Sequence, residues 1–216
     1  MAEAAVIGAD GRSSSRRGSA TREAIDTAAL ELFAELGYHA TSMRAIAAAA
    51  GVQPAAIYHW YPSKEAILVG FQDEFMDRLT EQVVAAVGEH DDPALQLAAA
   101  VREHVVYHGL HQREAFVTDS EIRALADSPR DALLARRDAY ERRFVEMIEA
   151  GVEAGSLTTS DPRVAAFAIL LQCTGVALWF DPAGPLGLDR VADLHVELVL
   201  GSVGASRRTI ERAVSA

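Results

Sequence analysis

The sequence predicts an all-α protein, and three observations carry that expectation. Half of the 216 residues are apolar, only 6% are aromatic, and alanine, the best helix former, is the commonest apolar residue. Apolar positions recur three and four apart over long stretches. Helix-opening pairs, Asp92-Pro93, Ser128-Pro129 and Ser160-Asp161-Pro162, punctuate the chain, and no strand and helix alternate to house a cofactor. The expected layout is an arm at 1–20, a three-helix helix-turn-helix domain at 21–66, a helical ligand-binding and dimerisation domain at 67–204 and a tail at 205–216. About nine helices are expected in all.

Residues 1–20, with GADGRSSSRRGSA, read as a polar, flexible arm whose Arg12, Arg16 and Arg17 lie along DNA or simply in solvent. Thr21 to Leu36 forms the first helix, with Ile25, Ala28, Ala29, Leu32, Phe33 and Leu36 as its buried stripe. Thr41 or Ser42 caps a short helix carrying Met43, Ile46, Ala47 and Ala50 inward and Arg44 elsewhere. Gly51 takes the positive φ that ends it, Val52 pins the corner, and Pro54 opens a second short helix to about Tyr61. Ile57 and Tyr61 face inward, leaving Gln53, Ala55, Ala56, Tyr58 and His59 outside. Short helix, glycine turn and short helix are the pattern of a helix-turn-helix that grips DNA. Ser63 caps the next helix, and Lys64, the only lysine in the chain, stands among unpaired backbone N–H groups, an arrangement suited to phosphate.

That helix runs to about Val87, with Leu68, Phe71, Phe75, Leu79 and Val83 on one side, and reads as a lever joining the two domains. Further helices are expected from Asp92-Pro93 to about His111, briefly over Glu121 to Ala126, and from Ser128-Pro129 to about Ala154. Another runs to Phe180, and the last from Asp189 to Leu200, with Val191, Leu194 and Leu198 on one face. Val164 to Phe180 is apolar on all sides. Its 17 residues are short of the about 20 a membrane span needs, so core or dimer seam is the reading. Two neighbouring helices with surplus apolar surface, about 163–180 and 189–200, suggest a homodimer through a four-helix bundle.

A net charge of −11 argues against nucleic acid until it is divided along the chain. Residues 11–64 hold six basic and four acidic residues, net +2, so the remainder carries −13. One cysteine, Cys173, excludes an internal disulfide framework and suits the cytoplasm, where it reads as a small core residue. No apolar leader follows the start, and no metalloprotease, phosphate-loop or nucleophile-elbow motif occurs, so neither an enzyme nor a cofactor is expected. His104, His108 and His111 fall at i, i+4 and i+7. They read as hydrogen-bonded core residues, a polar patch in a ligand cavity, or three metal ligands.

Thr21 to Leu68 resembles the DNA-binding domain of TetR-type transcriptional regulators. The likeness rests on Ile25, Ala28-Ala29, Leu32-Phe33, Gly37-Tyr38, Ala40-Thr41, Met43-Arg44, Ile46-Ala47, Gly51-Val52, Ile57-Tyr58, Tyr61, Ser63-Lys64-Glu65 and Leu68. Gln53-Pro54-Ala55-Ala56 depart from the family's usual polar residues and glycine. The resemblance implies a repressor that binds a palindromic operator as a two-fold dimer. Arg44, Tyr58, His59 and Lys64 would hold phosphates, Thr41 and Ser42 would assist, Gln53 would meet a base edge, and Ala55 and Ala56 thymine methyls. ARRDAYERRF, GVEAG and LWFDPAGPL resemble a subset of these regulators that answer to acyl-CoA thioesters. An effector pocket walled by Phe75, His104, Tyr107, His108, Phe116, Tyr140 and Trp179, with Arg137 or nearby arginines for anionic groups, is the corresponding expectation. Alternatives are a multidrug-responsive efflux repressor and a helical small-molecule-binding protein that never touches DNA.

Overall fold

The computed structural model describes residues 10–215, with side chains from residue 18 onward. The expected arm arginines at 12, 16 and 17 therefore lie outside the residues whose side chains are described. Every regular element among the described residues is a helix. Helix α1 spans Asp10–Leu36 and is followed by α2 (Met43–Ala49), α3 (Pro54–Trp60) and α4 (Lys64–Val87). Then come α5 (Pro93–Leu110), α6 (Gln112–Ser120), a 3-10 turn at Ile122–Ala124 and α7 (Asp127–Glu153). The chain closes with α8 (Pro162–Thr174), α9 (Val176–Trp179), α10 (Leu188–Ser202) and α11 (Arg207–Ser215).

Local chemistry accounts for most boundaries. Ser42 Oγ accepts the Ala45 N–H, Ser63 Oγ the Ala66 N–H, Asp92 the Ala94 N–H, and Asp161 those of Arg163 and Val164. Pro54, Pro93 and Pro162 sit in first turns, where their missing N–H costs nothing. Gly51 adopts φ 67, which lets α2 stop and the chain turn into α3.

In the N-terminal head Ile25, Ala28, Ala29, Phe33, Ile46, Ala47, Ile57, Ile67 and Leu68 close one core. Leu36, expected to end the α1 stripe inward, is 57% exposed because the helix stops there and its last turn overhangs the head. The larger body is built around α5, which packs against α4, α7, α8 and α10 and buries residues on every side.

Three differences from the sequence reading matter. Helix α1 begins at Asp10, before Thr21, with no proline along it to stop it. Helix α6 was not foreseen. The preceding helix stops at His111, as expected, at φ −115 and ψ 42, but a new helix starts at once, and the Gln112 side chain in its first turn donates to the carbonyls of Ala177 and Phe180. The expected tail carries α11, whose Ile210, Ala213 and Val214 pack on the core while Arg212 pairs with Asp92. The apolar segment to Phe180 is nearly continuous, tightened where the Leu178 N–H bonds the Gly175 carbonyl. Pro162–Trp179 is long and apolar enough to cross a membrane, yet only 22% of it is buried.

Gly51→Ala is expected to cost about 1–2 kcal/mol, because an L side chain resists this φ while the space around it is open. Thermal unfolding should fall by roughly 2–4 °C per kcal/mol. An unchanged midpoint would show that the turn rearranges freely.

Candidate nucleic-acid interface

The turn between α2 and α3 leaves Ser42, Arg44, Gln53, Ala55, Tyr58 and His59 exposed, with Ala56 half-buried. Tyr58 is 56% exposed on this surface. Arg44 makes no ion pair among the described residues. Beneath this surface Ile57 is fully buried, and the Tyr61 hydroxyl donates to Asp26 at 2.5 Å and accepts from Arg22 at 3.3 Å. Burial and the Asp26 bond push the Tyr61 hydroxyl up to about 12, so it stays a donor at neutral pH. Trp60 closes the end of α3 against α1, where a Cβ added to Gly18 would lie 3.5 Å from its ring.

Two residues expected at the phosphates have other duties. Thr41 is 3% exposed, and its hydroxyl donates to the carbonyls of Gly37 and Leu32, so it ties the α1–α2 corner from inside. The Lys64 ammonium donates to the carbonyls of Tyr38 (2.5 Å) and Thr41 (2.7 Å) and lies 4.1 Å from the centre of the Tyr38 ring. Burial lowers its pKa and the Glu121 charge raises it in part. These carbonyls, just past the end of α1, lack helical partners and lie within reach of Lys64 without any ligand. The structure thus makes Lys64 an internal clasp.

Sequence reasoning also missed the carboxylates that hold this corner to the body. Glu121 accepts the Tyr38 N–H at 3.1 Å, and Glu65 accepts the Ala126 N–H at 2.7 Å. Only the Glu of Ser63-Lys64-Glu65 stood in a recognised pattern.

In the body, His104 and His108 stack at 4.1 Å and are nearly fully buried. His104 Nδ1 meets the Tyr140 hydroxyl at 2.9 Å and Nε2 that of Thr174 at 3.0 Å, while His108 Nδ1 donates to the His104 carbonyl. Burial, with His108 and His195 adding to it, drives the His104 pKa well below its ordinary value, and burial brings His108 to about 4. His111 does not join them. It packs on Tyr107 and pairs with Glu114, so the three-histidine metal set is not assembled. Among the described residues no group of three His, Cys, Asp or Glu could hold a metal ion. Cys173 is buried, which pushes its thiol up to about 12.

The expected pocket set divides. Phe75 and Tyr107 line a cleft of about 900 Å³ between α1, α4 and the α5–α6 junction, whose walls carry Glu23, Asp26, Asp73 and Glu114. Phe116 (44% exposed) and Trp179 (57%) do not wall an interior cavity: Phe116 lies on the outer side of α6, and Trp179 stacks on His195 at the surface. Arg137 is spent on the Thr118 carbonyl and on Asp119, with its buried Nε unpartnered. Gln72 donates to the same carbonyl and leaves its own buried oxygen unpaired. A second groove of about 420 Å³ between α4 and α7 is lined by Val83, Val84, Val87 and Met147, with Arg143 among its walls. Arg142 and Arg143 are exposed and make no ion pair among the described residues.

Fold and site define a two-domain, all-α helix-turn-helix protein, a DNA-facing head on a helical body. Residues 25–70 match the family described as bacterial regulatory proteins, tetR family, and residues 90–203 the tetracyclin repressor-like C-terminal domain. The chain belongs to the TetR family of bacterial regulators. It is 31% identical over 189 residues to the HTH-type transcriptional repressor KstR2 of Rhodococcus jostii, covering 85% of this chain and 90% of that one. A tetR-family regulatory protein from Rhodococcus RHA1 superposes with TM-score 0.81 at 30% identity, over 86% of this chain and 98% of the other. AibR, crystallised with isovaleryl coenzyme A and operator DNA, gives TM-score 0.76 at 29% identity, over 84% and 98%.

Arg44→Ala is expected to weaken DNA binding and reduce the slope of log affinity against log salt by about 0.9. Lys64→Met should leave the slope unchanged and lower thermal stability; equal slope losses in both variants would return Lys64 to the phosphates.

His108 binds a proton more readily unfolded (about 6.5) than folded (about 4), so its contribution to stability is intact above pH 6.5 and is lost as pH falls towards 4. Thermal midpoints should drop across that window, and His108→Gln should flatten the drop. An equally steep drop in the variant would remove His108 as its source.

Proposed function

We propose that the chain is a cytoplasmic, homodimeric transcriptional repressor released from a palindromic operator by a small hydrophobic effector of the acyl-CoA thioester class. The observation that carries this reading is the likeness, over 98% of the other chain, to AibR bound to both isovaleryl coenzyme A and operator DNA. The surface supports the dimer. Val164, Phe167, Leu171 and Leu178, along α8 and α9, are each more than 60% exposed, and Leu198 on α10 is equally bare. A bare apolar row of this kind calls for cover, and a second copy supplies it while setting two reading heads at a fixed spacing.

Within the body, the effector's anionic end belongs on α7. Coenzyme A is strongly anionic, so the carboxylate-rich 900 Å³ cleft repels it, whereas the largely apolar 420 Å³ groove offers Arg143, exposed and without an ion pair among the described residues, against a single carboxylate, Glu146. The acyl chain lies along Val83, Val84, Val87 and Met147 and the phosphates face Arg143. Arg137, already committed to Asp119, is the weaker candidate. The acidic cleft, floored by Phe71, Phe75 and Tyr107, favours a second reading in which the effector is an organic cation and the protein a multidrug-responsive repressor.

One screen separates these readings. Isovaleryl coenzyme A at about 100 times its dissociation constant should stabilise the protein by about 2.7 kcal/mol, raising the midpoint by roughly 5–10 °C. It should also release DNA taken from upstream of the protein's own gene, and Arg143→Glu should reduce both effects. Stabilisation by hydrophobic cations in place of the thioester would establish the second reading; no complex with DNA at low salt would end both.

A further inference from the structure

The head and body are joined by a reciprocal exchange of carboxylates. Tyr38 follows Gly37, which ends α1 at φ 81, so the Tyr38 N–H points out of the helix without a backbone partner. Glu121, just beyond α6, reaches across to accept it. A Cβ on Gly37 would lie 3.6 Å from the same carboxylate oxygen. In the opposite direction Glu65, in the first turn of α4, accepts the N–H of Ala126, the residue that caps α7. Each domain therefore holds a backbone group of the other through one side chain.

The two ends of this tie lead to the two functional regions. On the head side, the Tyr38 and Thr41 carbonyls receive the Lys64 ammonium, and α2 starts immediately after, at Met43. On the body side, the Thr118 carbonyl receives Gln72 from α4 and Arg137 from α7. Any displacement of α4 against α7 acts on Thr118, three residues before Glu121. A carboxylate beside a helix C-terminus is electrostatically unfavourable by itself, and Lys64, whose charge Glu121 stabilises, offsets that cost.

We propose that Glu121, with Glu65 as its reciprocal partner, is a positioning pair that sets the attitude of the helix-turn-helix according to the arrangement of α4, α6 and α7. Neither residue touches DNA or effector. Glu121 acts through the Tyr38 N–H on the corner that feeds α2, and Glu65 keeps the 3-10 turn from drifting away from α4. The proposal rests on the reading of the protein as a DNA-binding regulator, and reciprocity makes it testable without the effector: what the body does to the head, DNA on the head must do to the body.

The experiment is amide hydrogen exchange of the full chain, with and without DNA from upstream of its own gene, alongside affinity measured across salt. In the native protein, DNA should slow exchange at residues 37–41 and also at 118–126. Glu121→Ala should lower affinity by roughly 10- to 100-fold with the salt slope unchanged, and the protection at 118–126 should vanish. Glu121→Gln keeps an oxygen that accepts the Tyr38 N–H and should restore most of the affinity, which a lost phosphate contact or a general loss of fold would not allow. Glu65→Ala should uncouple 118–126 with a smaller loss of affinity. If Glu121→Ala and Glu65→Ala both bind DNA like the native protein and still carry protection into 118–126, the proposal is wrong. Absence of any complex with the native protein would instead defeat the DNA-binding reading.

Discussion

The end of α1 presents a problem that the rest of the head is arranged to solve. A helix leaves its last carbonyls without partners, and here the chain must turn within six residues into α2 while staying packed. Thr41 satisfies Gly37 and Leu32, Lys64 satisfies Tyr38 and Thr41, and Glu121 takes the one N–H pointing outward. The only lysine of the chain is committed to this corner. Because these donors and acceptors come from three separate segments, the reading surface is held by tertiary contacts and inherits any movement of the elements that supply them.

Charge follows the same division of labour. The net +2 of residues 11–64 has to face a polyanion while −13 lies elsewhere. With Lys64 turned inward, the exposed cationic contact on α2 is Arg44, and Arg22 is turned to Tyr61 and Asp26. A second copy strengthens such a head: doubling the phosphates neutralised doubles the salt-dependent term. The bare apolar row on α8 and α9 and the cationic surface of the head thus serve one requirement.

What could be read in the sequence was what neighbours in sequence decide. Gly51, Pro54, Ser63, Asp92 and Asp161 act within a few residues, and each stands where local chemistry puts it. Helix α6 escaped because its start has no cap, glycine or proline; it is imposed by Gln112 reaching carbonyls 65 and 68 residues away. The contacts of Lys64 are illegible for the same reason: a lysine in a first turn suits phosphate locally, but the carbonyls it reaches lie 26 and 23 residues upstream. At 205–216, read as a tail, the spacing of Ile210, Ala213 and Val214 after Ser206 is the local signal of α11, and the structure packs that stripe on the core. Phe116 and Trp179 were assigned to a cavity by residue type alone, which says nothing about the side they face.

The scale of these contacts bears on how such a protein can switch. Coupling between two sites in one molecule is typically 1–3 kcal/mol, and a single hydrogen bond to a charged group is worth about 1.5–3 kcal/mol net. A regulator needs no wholesale rearrangement to lose its operator; changing the geometry of one such bond per head is sufficient in magnitude. The bonds that qualify join the two domains and involve a charge. Glu121 to Tyr38 and Glu65 to Ala126 meet both conditions, whereas the Arg22, Asp26 and Tyr61 set lies wholly within the head. The Gln72 and Arg137 donors meet on Thr118 wholly within the body.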